Sequence, residues 1–212
     1  MSIRVARKKP DAYQHGDLHA ALIQAGLKLL SEGGVAALTL RAAAKLAGVS
    51  NAAPYRHFQD KKALIAAIAE QGFHMLTAQM RREIEAAGND FFARLRASAW
   101  GYVSFARANP GYFRTMFGGV VPEECGALSP TLGAAGQEAY GVLQAQIADG
   151  IRRGRLRKGD PDELSLAAWS TVHGLSQLFI DGQLTPRAPD DHAARALVDS
   201  AVRWLEIGLR TS

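Results

Sequence analysis

The pattern of hydrophobic and polar positions predicts a chain built from helices alone. Apolar residues recur at the three- and four-residue spacing of a helix, first at Leu18, Ala21, Leu22, Ala25 and Leu29. No segment alternates with the two-residue period of a strand, so the predicted fold class is all-α. Capping residues, prolines and glycines at the boundaries predict about nine helices, over residues 17–33, 39–47, 50–57, from 60 onward, 90–107, from 110 onward, 131–153, 160–180 and 190–209.

Residues 39–62 carry the ingredients of a helix-turn-helix. Thr39 is placed to cap one helix, and the run Ala42–Ala44 keeps that helix slim. Gly48 supplies the positive φ of a sharp turn, with Val49 beneath it. Ser50 is expected to cap the next helix, which in such motifs enters the major groove of DNA. The sequence therefore predicts an N-terminal three-helix domain of this type over residues 1–62, followed by a helical domain over 63–212.

The distribution of charge agrees with a nucleic-acid partner for the first domain. Residues 1–62 hold ten Lys and Arg against four Asp and Glu, whereas residues 63–212 are close to neutral, so the whole excess of +5 lies in the first third. A local cationic surface is what phosphate binding requires. Part of this charge is an N-terminal arm with Arg4, Arg7, Lys8 and Lys9, which suits either a minor groove or a solvated tail.

Several classes of protein are disfavoured by composition. No apolar stretch approaches the roughly 20 residues that span a bilayer, and the basic N-terminus lacks the apolar core of a secretory signal, so the expected location is the cytoplasm. Cys125 is the single cysteine, and His15 and His19 have the spacing of a metal pair without a third ligand nearby. We find no catalytic motif and expect no metal and no cofactor.

The motifs between residues 17 and 62 resemble the DNA-binding domain of the TetR family of bacterial transcriptional repressors. They are Gly33-Gly34, Thr39-Leu40-Arg41, Ala47-Gly48-Val49-Ser50, Tyr55-Arg56-His57-Phe58 and Lys61. The later Asn109-Pro110 and the pair Trp169 and His173-Gly174 resemble a subgroup named for a Trp-His-Gly motif. The resemblance implies a homodimer that binds palindromic operator DNA and releases it when a small molecule enters the C-terminal domain.

The resemblance also implies roles for residues of the helix-turn-helix. Phosphate contacts are expected from Thr39, at a helix N-terminus, and from Tyr55, His57 and Lys61. Base contacts are expected near the turn, where an asparagine makes paired hydrogen bonds to adenine and alanines leave room for a thymine methyl. The full predicted DNA-binding set is Thr39, Arg41, Ser50, Asn51, Ala52, Ala53, Tyr55, Arg56, His57 and Lys61. Interior packing is the alternative for Tyr55 and His57, and a solvated surface position for Arg41.

Pro54 departs from the commonest pattern of the family, in which an aliphatic residue stands there. A proline at the fourth residue after Ser50 removes the first hydrogen bond within the helix and restricts Ala53. We therefore expect a tight or shifted first turn in the recognition helix, and the residue among Asn51–Ala53 that faces the bases stays open.

The C-terminal domain is expected to hold an effector pocket and a dimer interface. Aromatic and other apolar residues suited to the pocket are Trp100, Phe105, Tyr112, Met116, Trp169 and His173. A stripe on the last helix suits a four-helix interface with a second copy: Leu197, Val198, Ala201, Leu205 and Gly208, in line with Ala194. The alternatives are plain core packing for most of the aromatic residues and an intrachain core for the stripe.

The sequence thus favours a sequence-specific regulator, most simply a repressor released by a small molecule. An activator, or a regulator without a ligand, fits the same residues. An enzyme acting in the C-terminal domain is a remote alternative, because the histidines have no evident acid–base partners.

Overall fold

The chain is all-helical in a computed structural model, which describes residues 15–121 and 129–210. The described part contains eight α-helices and one 3-10 helix. They are α1 (His15–Ala37), α2 (Leu40–Leu46), the 3-10 helix (Ala53–Arg56), α3 (Lys61–Ala86), α4 (Phe91–Ala108), α5 (Pro110–Phe117), α6 (Pro130–Arg152), α7 (Pro161–Ile180) and α8 (Asp191–Leu209). The same residues include no strand, only an isolated bridge between Leu156 and Arg210. The predicted fold class is confirmed.

Two predicted features lie outside the described residues. They are the basic arm with Arg4, Arg7, Lys8 and Lys9, and the lone Cys125. Within the described ranges, no helix has both the length and the apolar character needed to cross a membrane.

Most helix boundaries follow the capping signals of the sequence. Gly34 breaks α1 with φ 64°, and Thr39 Oγ1 accepts the Ala42 N–H at 3.0 Å to start α2. Asp60 and Asp160 cap α3 and α7 through backbone N–H groups at 2.8 and 2.9 Å. Asn109 differs from the prediction, because its side chain makes no cap; it donates instead to the Phe105 carbonyl of the preceding helix at 3.1 Å.

The chain divides into two compact units, one up to Leu64 and the other from Ile65. In the first unit α1 packs on α2, and α2 on the 3-10 helix. Their contacts surround a small core of fully buried or nearly buried residues: Leu22, Ile23, Leu38, Leu40, Ala43, Ala44, Phe58 and Leu64. This core holds the turn after α2 in place.

The second unit is organised around α4, which is buried along most of its length. Helix α4 packs against α7 and α8, and α7 also packs against α6 and α8. At one end Leu95, Ile147, Leu156 and Leu209 form a buried apolar cluster. These helices form the walls of the cavity described below.

Candidate nucleic-acid interface and ligand cavity

The turn after α2 has the geometry that the sequence predicts. Gly48 adopts φ 71°, and the backbone N–H of Val49 donates to the Ala44 carbonyl at 3.0 Å, which closes the end of α2. Val49 is half-buried beneath the turn. A residue with a side chain is strained at this φ, so Gly48 is the residue that lets the chain leave α2 so abruptly.

The second helix of the motif is a 3-10 helix that begins later than predicted. Ser50 is not its cap: residue Ala52 holds the cap position without a side-chain hydrogen bond. Pro54 explains the change, because an α-helix starting at Ser50 needs the missing Pro54 N–H for its first bond. The Ser50 carbonyl instead accepts from Ala53 at 3.0 Å, one residue earlier, which gives a tight turn of the kind expected.

Most of the predicted DNA-binding residues lie on the surface of the first unit. The exposed members are Thr39, Arg41, Ser50, Asn51, Ala52, Tyr55 and Arg56, while Ala53, His57 and Lys61 are half-buried. Tyr55 is 54% exposed, although large aromatic side chains are usually covered. Residues 39–56 therefore present hydroxyl, amide, phenol and guanidinium groups to solvent.

His57 and Lys61 are held by neighbours within the same unit. The His57 ring lies edge-on to His19, with centroids 5.8 Å apart, and beside buried Phe58. The Lys61 ammonium donates to the Val35 carbonyl. Because an ammonium has three N–H groups, two further donors remain for another partner.

The second unit contains a cavity of about 430 Å³, within the size range of small-molecule sites. Its walls come from α3 to α8 and are mostly apolar and aromatic. The described residues that line it are Phe73, Leu76, Met80, Leu95, Ser98, Ala99, Tyr102, Phe117, Gly136, Ala139, Tyr140, Leu143, Leu166, Ala168, Trp169, Val172, Val202 and Leu205. None of these side chains carries a formal charge.

Only Trp169 of the six predicted pocket residues lies on this wall. Trp100, Phe105, Tyr112 and Met116 are buried in the core, where packing rather than a ligand accounts for them. Trp100, for example, has the Arg195 guanidinium 5.5 Å from its ring centre. These four side chains do not line this cavity, so their contact with an effector stays a prediction, and plain core packing is the alternative that fits their burial.

His173 lies behind the wall and is linked to it by a chain of hydrogen bonds. The Trp169 indole N–H donates to the Tyr102 hydroxyl at 3.1 Å, and that hydroxyl lies 2.9 Å from His173 Nδ1. Burial lowers the pKa of His173 and raises the pKa of Tyr102, so both are neutral near pH 7. The Tyr102 hydroxyl thus accepts from the indole and forms a second hydrogen bond with Nδ1, whose direction is set by the tautomer of His173.

The predicted dimer stripe on α8 is divided between the buried side of the helix and its surface. Val198 is completely buried, like Ala194, and Leu205 lies on the cavity wall. Leu197 and Ala201 are half-buried, and Gly208 is exposed. The intrachain alternative therefore holds for Ala194 and Val198, because α8 packs on α4 and α7 along this face.

The side of α8 that carries Ala201 and Gly208 also exposes two large apolar side chains that the sequence pattern did not indicate. Trp204 is 74% exposed and Ile207 is 62% exposed, three residues apart on one side of the helix. On α7, Leu166 and Leu178 are also exposed. A tryptophan outside the buried stripe was the available signal in the sequence, since large exposed apolar side chains mark interaction surfaces.

Across residues 15–121 and 129–210, no group of three or more His, Cys, Asp or Glu side chains is arranged to hold a metal ion. The ionisable groups near the cavity are engaged in other contacts, the clearest being Glu206, which binds Arg96 Nη1 at 2.7 Å.

A helix-turn-helix with an exposed polar face, and a separate helical unit with a cavity, define a DNA-binding transcriptional regulator. The family models agree. The model of the tetR family of bacterial regulatory proteins matches residues 22–68, and that of the tetracyclin repressor-like C-terminal domain matches residues 95–203. The chain belongs to the TetR family.

Individual relatives support this assignment. The nucleoid occlusion factor SlmA of Edwardsiella ictaluri is 30% identical over 190 residues, covering 86% of this chain and 89% of the relative. A protein of unknown function from Rhodococcus sp. RHA1 is 33% identical, with a TM-score of 0.78 over 95% of this chain and 100% of the other. The regulator FadR of Bacillus subtilis, solved with stearoyl-CoA, shares the fold at 16% identity, with a TM-score of 0.74 over 90% and 98% of the two chains.

Proposed function

We propose that this TetR-family regulator is a cytoplasmic homodimeric repressor that leaves a palindromic operator when a small molecule occupies the cavity. The observation that carries the proposal is the presence, in one chain, of an exposed helix-turn-helix face and a preformed cavity of about 430 Å³. A ligand releases DNA only if it binds more tightly to the conformation that cannot bind the operator. Residues 1–62 would then be the reading domain and 63–212 the effector and dimerisation domain.

Within the reading domain, we propose a division between phosphate anchors and base readers. Thr39 lies at the N-terminus of α2, where backbone N–H groups favour an anion, and exposed Tyr55 extends a hydroxyl from the 3-10 helix. Arg41 and Asn51 are exposed and have the chemistry to contact base edges. The late start of the 3-10 helix leaves Asn51 in the turn before it.

The dimer is proposed to form through the outward faces of α7 and α8. Trp204 and Ile207 are the largest exposed apolar side chains of α8, and burial of their apolar surface would favour association. Trp204→Ala is expected to increase the monomer fraction in native mass spectrometry. The exposed Leu46→Ala, in the first unit, is the matched control and should leave the dimer intact.

Membership of the Trp-His-Gly subgroup is also a proposal. It is supported by Trp169 and His173, which flank the Tyr102 hydroxyl. Gly174 follows them on the exposed side of α7.

DNA binding near the protein's own gene tests the operator part of the proposal. Purified protein is expected to protect a dyad-symmetric site in a footprint across the neighbouring promoters, and Asn51→Ala should weaken that protection. Lys28→Ala, an exposed cation on α1 paired with Glu32, is the control and should keep it. Absence of any protected site would contradict the repressor proposal, while reporter expression in a deletion strain separates repression from activation.

The resemblance to SlmA supports a second candidate, a regulator of nucleoid occlusion. The two functions predict different distributions on the chromosome. Chromatin immunoprecipitation should find one or a few promoter sites for a local repressor, and many dispersed sites for a nucleoid occlusion factor. The cavity favours the first candidate, because a preformed apolar site of this size suits a small molecule.

A further inference from the structure

The cavity has the size of a small-molecule site. Its volume of about 430 Å³ lies within the range of about 300–1,000 Å³ that such sites occupy.

The charge of the walls limits the ligand further. None of the described residues that line the cavity is acidic or basic. The nearby carboxylate of Glu206, next in sequence to the lining residue Leu205, is 1% exposed and already paired with Arg96 and Arg210. Burying a free carboxylate or ammonium against these walls is costly, because no counter-charge is available there.

One buried hydroxyl group on the wall remains available to a ligand. Ser98 on α4 is only 4% exposed and lines the cavity. Its hydroxyl has no hydrogen bond among the described residues, whereas the Trp169 indole N–H and the Tyr102 hydroxyl bond to one another. Buried polar groups are nearly always satisfied, so an unpartnered serine hydroxyl on a cavity wall indicates a polar atom of the occupant.

We propose a chemical class for the effector, and this inference rests on the proposed role of the cavity as the effector site. The effector is an uncharged, mainly apolar small molecule that carries a hydroxyl or carbonyl group bound by Ser98. Ionised carboxylates are excluded, because the walls offer them no cation.

Matched neutral and charged probes test this class by calorimetry on the full chain. The pairs are 1-dodecanol with dodecanoate and 1-naphthol with 1-naphthoate, at a pH of about 8, where the acids are ionised. We expect each alcohol to bind at least about tenfold more tightly than its carboxylate. Equal binding of the two members, or binding of no probe, would overturn the inference.

A conservative variant tests the hydroxyl group. Ser98→Ala should weaken 1-naphthol about 2- to 10-fold, the range of one hydrogen bond, and leave naphthalene unchanged. Ser104→Ala on the same helix, away from the cavity wall, is the matched control. If Ser98→Ala binds 1-naphthol like the unaltered protein, the assignment of the polar contact is wrong.

Operator release is measured separately, so that the two proposals fail in different ways. Selective binding of the alcohols supports the effector class whether or not DNA is released. If bound alcohol leaves the operator complex intact, the ligand-released repressor is contradicted while the chemistry of the cavity stands. If carboxylates bind and release DNA, only the effector class is overturned.

Discussion

Replacement of Gly101 by alanine should loosen the contact between α3 and α4. Gly101 lies in the buried middle of α4, and a Cβ atom built there would lie 2.8 Å from the Met80 Cα and 3.2 Å from the Met80 backbone N. These are main-chain atoms of α3, which no change of rotamer removes. Carbon atoms normally pack at about 3.5–4.0 Å, so the two helices must separate by roughly 1 Å.

The size of the effect follows from two opposing contributions. Alanine is favoured over glycine within a helix by about 0.8–1 kcal/mol. Overpacking a core by one methyl group costs about 1–3 kcal/mol. Gly141→Ala in α6 isolates the first contribution, because a Cβ there meets nothing within 4 Å. The two variants should therefore differ in free energy of unfolding by about 1–3 kcal/mol, with Gly101→Ala the less stable.

Urea denaturation of both variants measures this difference. Met80 and Tyr102 line the cavity on either side of the contact, so Gly101→Ala should also change the affinity for a bound probe, and Gly141→Ala should not. Equal stability of the two variants would refute the argument that main-chain contact between α3 and α4 requires glycine.

Three further predictions concern the cavity wall and the reading domain. Tyr102→Phe removes the partner of both Trp169 and His173, and should lower the free energy of unfolding by about 1–2 kcal/mol in thermal denaturation. Burial lowers the pKa of His173 in the folded state below its unfolded value of about 6.5, so neutral His173 contributes fully to stability above that pH, and the contribution declines as the pH falls toward the folded pKa. His173→Gln should remove this part of the pH dependence of Tm. An unchanged profile of Tm against pH would contradict this prediction. Lys61 is expected to contact a phosphate, so Lys61→Ala should reduce the slope of log affinity against log salt by about 0.9 in gel-shift titrations, whereas Lys28→Ala should not change it.

Local chemistry was the part of the fold that the sequence predicted best. Thr39, Asp60 and Asp160 cap their helices because a short side-chain oxygen satisfies a free backbone N–H within a few residues. Gly48 has the expected positive φ for an equally local reason. Ser50 failed as a cap although its residue type is suitable, because Pro54, four residues later, could not supply the N–H of the first helical turn.

The cavity was less predictable because it is a property of six helices together. Trp169 and Phe117 lie on its wall, while the equally aromatic Trp100 and Phe105 are buried away from it. Residue type cannot distinguish these cases, since a buried aromatic side chain has the same periodicity whether it faces a neighbour or an empty space. Ser98 gives a weak signal, a hydroxyl on an otherwise apolar helical face.

The same limitation affected the prediction of which face of α8 is buried and which is exposed. Buried positions recur at Ala194, Val198, Val202 and Glu206, so the inward stripe includes a carboxylate and the outward face includes Trp204. The spacing of apolar residues alone predicts neither the burial of Glu206 nor the exposure of Trp204. Arg96, 110 residues away in sequence, neutralises Glu206 only after α4 and α8 have packed. The ion pair makes the burial of Glu206 possible. Trp204 stays 74% exposed, because no side chain in the described part of the chain covers it. Trp204 lies one helical turn from Ala201 and one turn from Gly208, so the tryptophan and the less buried part of the predicted stripe share one surface, on which we propose that a second copy gains apolar contact.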